Sequence, residues 1–207
     1  MSLNVSVLKS IVGSTFFFFF SSIKSDLVVL LLFNSIGALF YRIWVSFTVL
    51  ITWLNIFDFG SGYSLKNKIT ESLVDNDNSS LQVLIAGTIQ FYFFATFVIL
   101  LVFVVCLFFI KAFSENRILS LILYLPVIIA FPFTLGHFMM QGLKKFNLFN
   151  FFLLFQSLIW LLVIVLYSNG TIQLNIYKIG IIYGLLYVLV NFCVFILSLG
   201  FFVFFLC

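Results

Sequence analysis

Residues 40–78 read FYRIWVSFTVLITWLNIFDFGSGYSLKNKITESLVDNDN, and how this stretch is parsed decides the fold. It opens as a run apolar enough to enter a bilayer, meets an acidic residue and two glycines in FDFGSG, and continues into the charged, amphipathic SLKNKITESL. Thr48, Thr52, Asn55, Phe59, Gly62 and Lys66 follow one another at steps of four and three, which puts them on one side of a helix with Asp58 beside them. Farther on, Leu65, Ile69 and Leu73 make an apolar edge while Lys66, Lys68 and Glu71 stay solvated, and Lys68 is spaced to pair with Glu71 at i, i+3. The spacing predicts one helix over about 40–74 that carries its polar side past the point where the charges begin. DNDNSS at 75–80 ends it, because these side chains compete with a helix for backbone hydrogen bonds.

Composition places this stretch in a membrane. Of 207 residues 64% are hydrophobic and 8% charged, and the mean hydropathy is +1.31, more apolar surface than a soluble core of this size can hide. A spanning helix needs roughly 20 predominantly apolar residues. The 32 Phe and only two Pro leave runs of that length. The runs are too continuous for barrel strands, which alternate every second residue. The net charge of +4 is spread over short loops, a pattern of topology and anionic headgroups rather than of nucleic-acid binding. Cys106, Cys193 and Cys207 lie in apolar runs with no paired spacing and read as small packing residues.

The chain therefore reads as an all-α polytopic membrane protein, a single domain of six transmembrane helices at about 10–34, 40–74, 81–111, 118–142, 148–167 and 177–206. The first run lacks a small-residue cleavage signature and is expected to be retained. Ser10, Ser14, Ser21 and Ser25 give it a polar side, with Lys24 beside them. The fourth contains Pro126 and Pro132, which remove ladder bonds and kink a helix; its Thr134, His137 and Gln141 share one side. Along the sixth, Gly180, Gly184, Tyr187, Asn191 and Ser198 form one stripe. Four helices with one polar side each predict a wet cavity inside the bundle. With the N-terminus cytoplasmic, Lys9, Lys66, Lys68, Lys144 and Lys145 lie inside and Arg42, Lys111, Arg117 and Lys178 outside, a slender bias in the positive-inside direction.

The second span also carries a resemblance. Tyr41, Trp44, Trp53, the D-x-G-x-G of Asp58, Gly60 and Gly62, and the following Lys66, Asn67, Lys68, Ile69 and Glu71 resemble the N-terminal region of Wzx-type polysaccharide (O-antigen) flippases. These belong to the MATE-like exporter superfamily. PVIIAFPFTLGHFMMQGLKKFN, Pro126 to Asn147, is similar to the fourth helix of that family. The resemblance covers all six spans. It implies one six-helix lobe of a MATE-like fold, in a family whose members carry two such lobes, so a second six-helix lobe is an implied partner. It further implies transport of a polyprenyl-pyrophosphate-linked oligosaccharide across the bacterial inner membrane by ion-coupled alternating access, for surface polysaccharide biosynthesis. The K-N-K run and the LKK turn are then cytoplasmic.

A sugar-pyrophosphate crosses hydrocarbon only in a polar cavity, and ionisable residues within spans point to one. Lys24 and Arg42 are candidates to attract the pyrophosphate, Asp26 to hold Lys24 or couple an ion, and Thr48, Thr52 and Asn55 to line the path. The competing reading is that Lys24 and Asp26 pair locally and Arg42 snorkels to the interface. Asp58, Gly60 and Gly62 read as a hinge in which the carboxylate satisfies amides exposed by a bend, ahead of an ion site. His137, the single histidine, reads as a packing residue ahead of a second ion-coupling candidate. The sequence contains no nucleophile elbow, His-rich metal pattern or phosphate-binding glycine loop. Neither enzymatic activity nor a metal or cofactor is expected, and membrane lipid is the remaining partner. A MATE-type drug or cation exporter lobe and a non-transporting membrane protein are the alternative functions.

Overall fold

A computed structural model describes residues 38–54, 56, 58–75, 78–111, 117–169 and 175–206. Among them the fold is helical throughout: α1 (Ala38–Leu54), α2 (Ser61–Asp75), α3 (Asn78–Phe109), α4 (Arg117–Ala130), a short 3-10 segment (Phe131–Thr134), α5 (Leu135–Gly142), α6 (Phe146–Ser168) and α7 (Ile176–Leu206). Four stretches are long and apolar enough to cross a membrane, Ser80–Phe109, Arg117–Gly142, Phe146–Ser168 and Tyr177–Val203. At 1.5 Å per residue they reach about 34–45 Å, beyond the roughly 30 Å of bilayer hydrocarbon. The protein is membrane-embedded by this criterion.

Of the six spans expected, four are found among the described residues. The first predicted span, with Lys24 and Asp26, lies outside them. The second is not one helix over 40–74: it is divided into α1, of 17 residues, and α2, of 15. The physical reason is local. Phe59 has φ +50° and Gly60 φ +77°, and a right-handed helix does not run through two successive left-handed residues.

α7 forms the spine of the bundle and packs along α4, the 3-10 segment, α5 and α6. Two glycines set how closely it approaches. A Cβ on Gly184 would stand 2.6 Å from Pro126 Cγ on α4, and one on Gly136 would stand 2.6 Å from Phe195 Cα on α7, so the helices meet at distances that only a missing side chain allows. α4 continues helically through Pro126, while Pro132 lies at the start of the 3-10 segment, where its absent N–H and ring forbid the α-helical ladder. Leu119, Leu123, Val127, Ile128, Leu135 and Met139 line the interior. The opposite face of α3 leaves Phe93, Phe94, Phe97, Leu101, Val102, Val105 and Phe108 exposed, an apolar band that belongs against lipid.

α2 is held by its apolar edge. Leu65 and Ile69 are completely buried against α3 and α5, and the Thr70 hydroxyl donates to the Gly142 carbonyl at 3.2 Å. Lys68 and Glu71 face outward and pair at 2.9 Å. α2 is therefore an amphipathic helix tied to the bundle.

Candidate functional site

Between α1 and α2 the backbone closes two tight turns, with Ile56 N–H donating to the Trp53 carbonyl (2.9 Å) and Phe59 N–H to the Ile56 carbonyl (3.1 Å). Phe59 in the left-handed region costs about 1–2 kcal/mol, whereas Gly60 adopts it freely. Asp58 offsets the strain: its Oδ1 accepts the Gly60 N–H at 2.7 Å, and its main-chain oxygen accepts the Ser61 N–H at 2.9 Å. Its carboxylate thus lies at the N-terminal end of α2, the end whose dipole favours negative charge.

The second carboxylate oxygen of Asp58 looks into the bundle. It accepts the Tyr92 hydroxyl of α3 at 3.3 Å across 34 residues of chain. Asp58 is only 6% exposed and Tyr92 is fully buried. Tyr92 stacks on Phe131 with ring centroids 5.2 Å apart and planes 22° apart, so the phenol is fixed by packing as well as by the acid. No basic side chain pairs with Asp58 among the described residues. Ser61 is the first residue of α2, and its hydroxyl is buried. A buried acid and a phenol thus meet at the break.

The other residues singled out from sequence are distributed elsewhere. Arg42 belongs to α1, but its side chain and all of Asn55 lie outside the described residues. Thr48 donates to the Val45 carbonyl at 2.8 Å and Thr52 to the Thr48 carbonyl at 3.2 Å, so both hydroxyls bond within their own helix. The break separates them from Gly62 and Lys66, and the continuous polar side predicted from Thr48 to Lys66 is corrected accordingly. Gly62 itself faces α5, where a Cβ would meet the Phe138 ring at 2.5 Å. His137 packs its ring 5.0 Å from Phe149. Its Nε2 is buried without a partner, and no bond joins it to Asp58.

The polar side expected on the sixth span is a packing seam instead of a wall of water. Asn191 and Ser198 are 1% and 0% exposed. Asn191 Nδ2 donates to the Tyr187 carbonyl at 2.7 Å, and Ser198 donates to the Phe195 carbonyl at 2.7 Å. Small and polar residues recurring on one side of this helix serve close helix contact, for which periodicity alone gives the same signal. Thr134 likewise donates to the Phe131 carbonyl at 2.6 Å. A polar groove lies between α2 and α3, about 390 Å³ in volume and lined by Ser64, Asn67, Lys68, Glu71, Ser80 and Leu84.

Tyr92 does not stand out in the sequence, because it sits in the apolar run FYFFATF. A usable signal is nevertheless present: a phenol buried among hydrocarbon must find a partner for its O–H, and an acid in an adjoining span is the natural acceptor. α1 is anchored separately, through Trp44, which stacks on Trp160 of α6 at 5.4 Å and meets Tyr183 of α7 edge-on at 5.1 Å. No family model, no curated protein and no solved structure matches this chain.

Proposed function

We propose that the chain is one lobe of a lipid-linked polysaccharide flippase, which moves a polyprenyl-pyrophosphate-linked oligosaccharide across a bacterial inner membrane by ion-coupled alternating access together with a second six-helix lobe. The observation that carries this reading is the break between α1 and α2 with a buried Asp58 in it that pairs with no basic side chain among the described residues. An ionisable residue enclosed by membrane-spanning helices is costly to keep and marks an ion or substrate path by default. Interrupted helices are the means by which transporters combine such a path with a moving element. On this reading the carboxylate and the left-handed turn form the joint about which α2 shifts against α1, and Trp44 keeps α1 fixed to α6 and α7. Lys24 and Arg42 attract the pyrophosphate, and the α2 end and the turn at Lys144 and Lys145 are cytoplasmic.

The test is reconstitution in proteoliposomes, alone and with a second six-helix lobe, with a fluorescent polyprenyl-pyrophosphate oligosaccharide and an impermeant quencher that reads which leaflet it occupies. The expected result is flipping by wild type and at least a tenfold loss in Asp58→Asn, at equal protein levels and helicity. Absence of flipping in both arrangements, with the protein folded, would refute the flippase reading in favour of a non-transporting membrane protein.

A further inference from the structure

We propose that the groove between α4 and α7 binds an anionic phospholipid, with one acyl chain lying in the groove and the head-group phosphate held by Arg117 and Lys178 above it. The groove is about 250 Å³ in volume and is lined by Leu121, Ile122, Leu125, Pro126, Ile181 and Leu185, all apolar. The register of the two helices fixes its place. A Cβ on Gly180 would stand 2.9 Å from Ile122 Cγ2, and one on Gly184 would stand 2.6 Å from Pro126 Cγ. α4 and α7 therefore run parallel and in step, and Ile122 and Pro126, on which the glycines close, form the groove floor. Leu121, Ile181 and Leu185 along its sides are 40%, 45% and 59% exposed. Both helices belong to stretches that cross the membrane, Arg117–Gly142 and Tyr177–Val203, so the groove opens into the acyl region of the bilayer.

The charge at the rim decides which lipid the groove takes. Arg117 shares a side of α4 with Leu121 and Leu125 at i, i+4 and i+8, and Lys178 shares a side of α7 with Ile181 and Leu185 at i, i+3 and i+7. Each cation stands about one turn, roughly 5–6 Å, from the first lining residue of its own helix. Because Gly180 lies level with Ile122, Arg117 and Lys178 are at the same membrane surface, about one turn apart in height. Both are exposed, and the Arg117 guanidinium rests over the Phe108 ring at 5.4 Å, which keeps it at the rim. Among the described residues the acids are Asp58, Glu71 and Asp75. They lie in α2 or just before it, and α2 packs on α3 and α5, α5 being the far end of the span that Arg117 begins. Glu115 lies outside the described residues; with it counted, residues 110–117 and 170–178 hold three basic side chains and one acid. Two cations over an apolar cleft fit a molecule with a negative head and a hydrocarbon tail. Each Lys or Arg near the membrane surface favours an anionic lipid about fivefold. The site does not rest on the flippase reading above.

Native mass spectrometry tests the site on the full chain released from mixed micelles that hold phosphatidylglycerol and phosphatidylcholine, with identical acyl chains, in equal amounts. Wild type is expected to retain one phosphatidylglycerol with a preference of about 25-fold over phosphatidylcholine, fivefold from each cation. Arg117→Gln and Lys178→Gln are each expected to cut that preference about fivefold, and the double variant to abolish it. Lys144→Gln combined with Lys145→Gln, at the other surface, is expected to leave it unchanged. Leu185→Trp fills the groove from its open side and is expected to lower retention of both lipids several-fold. Every side chain replaced is exposed, so circular dichroism is expected to match wild type and the readout to report lipid binding rather than folding. Equal retention of the two lipids by wild type, a preference that survives in the Arg117/Lys178 double variant, or retention unmoved by Leu185→Trp overturns the proposal.

Discussion

Replacing Gly136 by alanine tests the packing of α5 on α7 with a perturbation of one methyl group. A Cβ there would lie 2.6 Å from Phe195 Cα, 2.7 Å from Phe195 N and 3.1 Å from the Val194 carbonyl carbon. All three are backbone atoms, so no rotamer change relieves the clash, and α5 and α7 must move apart. Overpacking of this kind costs about 1–3 kcal/mol, roughly 5- to 150-fold in the folding equilibrium at 1.4 kcal/mol per decade. Gly200 and Gly87 are also helical, but a Cβ at either would have nothing within 4 Å. Alanine at either is therefore expected to stabilise by about 0.5–1 kcal/mol through lower backbone entropy in the unfolded chain. Titration with denaturing detergent in bicelles, followed by circular dichroism, measures all three variants on one scale. Equal and near-neutral effects at Gly136, Gly87 and Gly200 would refute the backbone contact between α5 and α7.

Two further outcomes follow from exposure. Trp53 is 59% exposed while Trp44 and Trp160 are 7% and 4% exposed, so in single-tryptophan variants brominated lipid is expected to quench Trp53 several-fold more than either of the others; equal quenching would contradict the anchoring of α1 through Trp44. The Lys68–Glu71 pair has side chains 45% and 58% exposed. Glu71→Gln is expected to cost no more than about 0.5 kcal/mol in the same unfolding titration, and that cost to vanish in high salt; a larger, salt-independent loss would mean that Glu71 has a buried role.

Sequence and structure agree where the physical constraint is one-dimensional. Long apolar runs with few charges must be helices in hydrocarbon, and Ser80–Phe109, Phe146–Ser168 and Tyr177–Val203 follow those runs closely. The Lys68–Glu71 spacing likewise needs only the helix period. What period alone does not convey is the meaning of a polar stripe. Gly180, Gly184, Asn191 and Ser198 share a side whether that side faces water or another helix, and the partner surface, Pro126 and Met139, is more than 40 residues away in sequence. The break at Phe59 is legible only in part, for a different reason. Asp58 and the two glycines mark a bend, and the Asp58–Gly60 bond that closes it is local, but the Tyr92 hydroxyl that also holds the carboxylate lies 34 residues beyond Asp58, out of reach of any local pattern.

The most direct test of the Asp58–Tyr92 link across the broken span is a double-mutant cycle of Asp58→Asn and Tyr92→Phe, with unfolding free energies measured in bicelles near neutral pH. Hydrogen bonds between helices in membranes give coupling energies averaging about 0.6 and reaching about 1.7 kcal/mol. A buried pair of which one member is a carboxylate belongs in the upper part of that range. The structure predicts a favourable coupling of about 1–1.7 kcal/mol; additive effects, with coupling indistinguishable from zero, would contradict it and leave Asp58 as a cap of α2 alone.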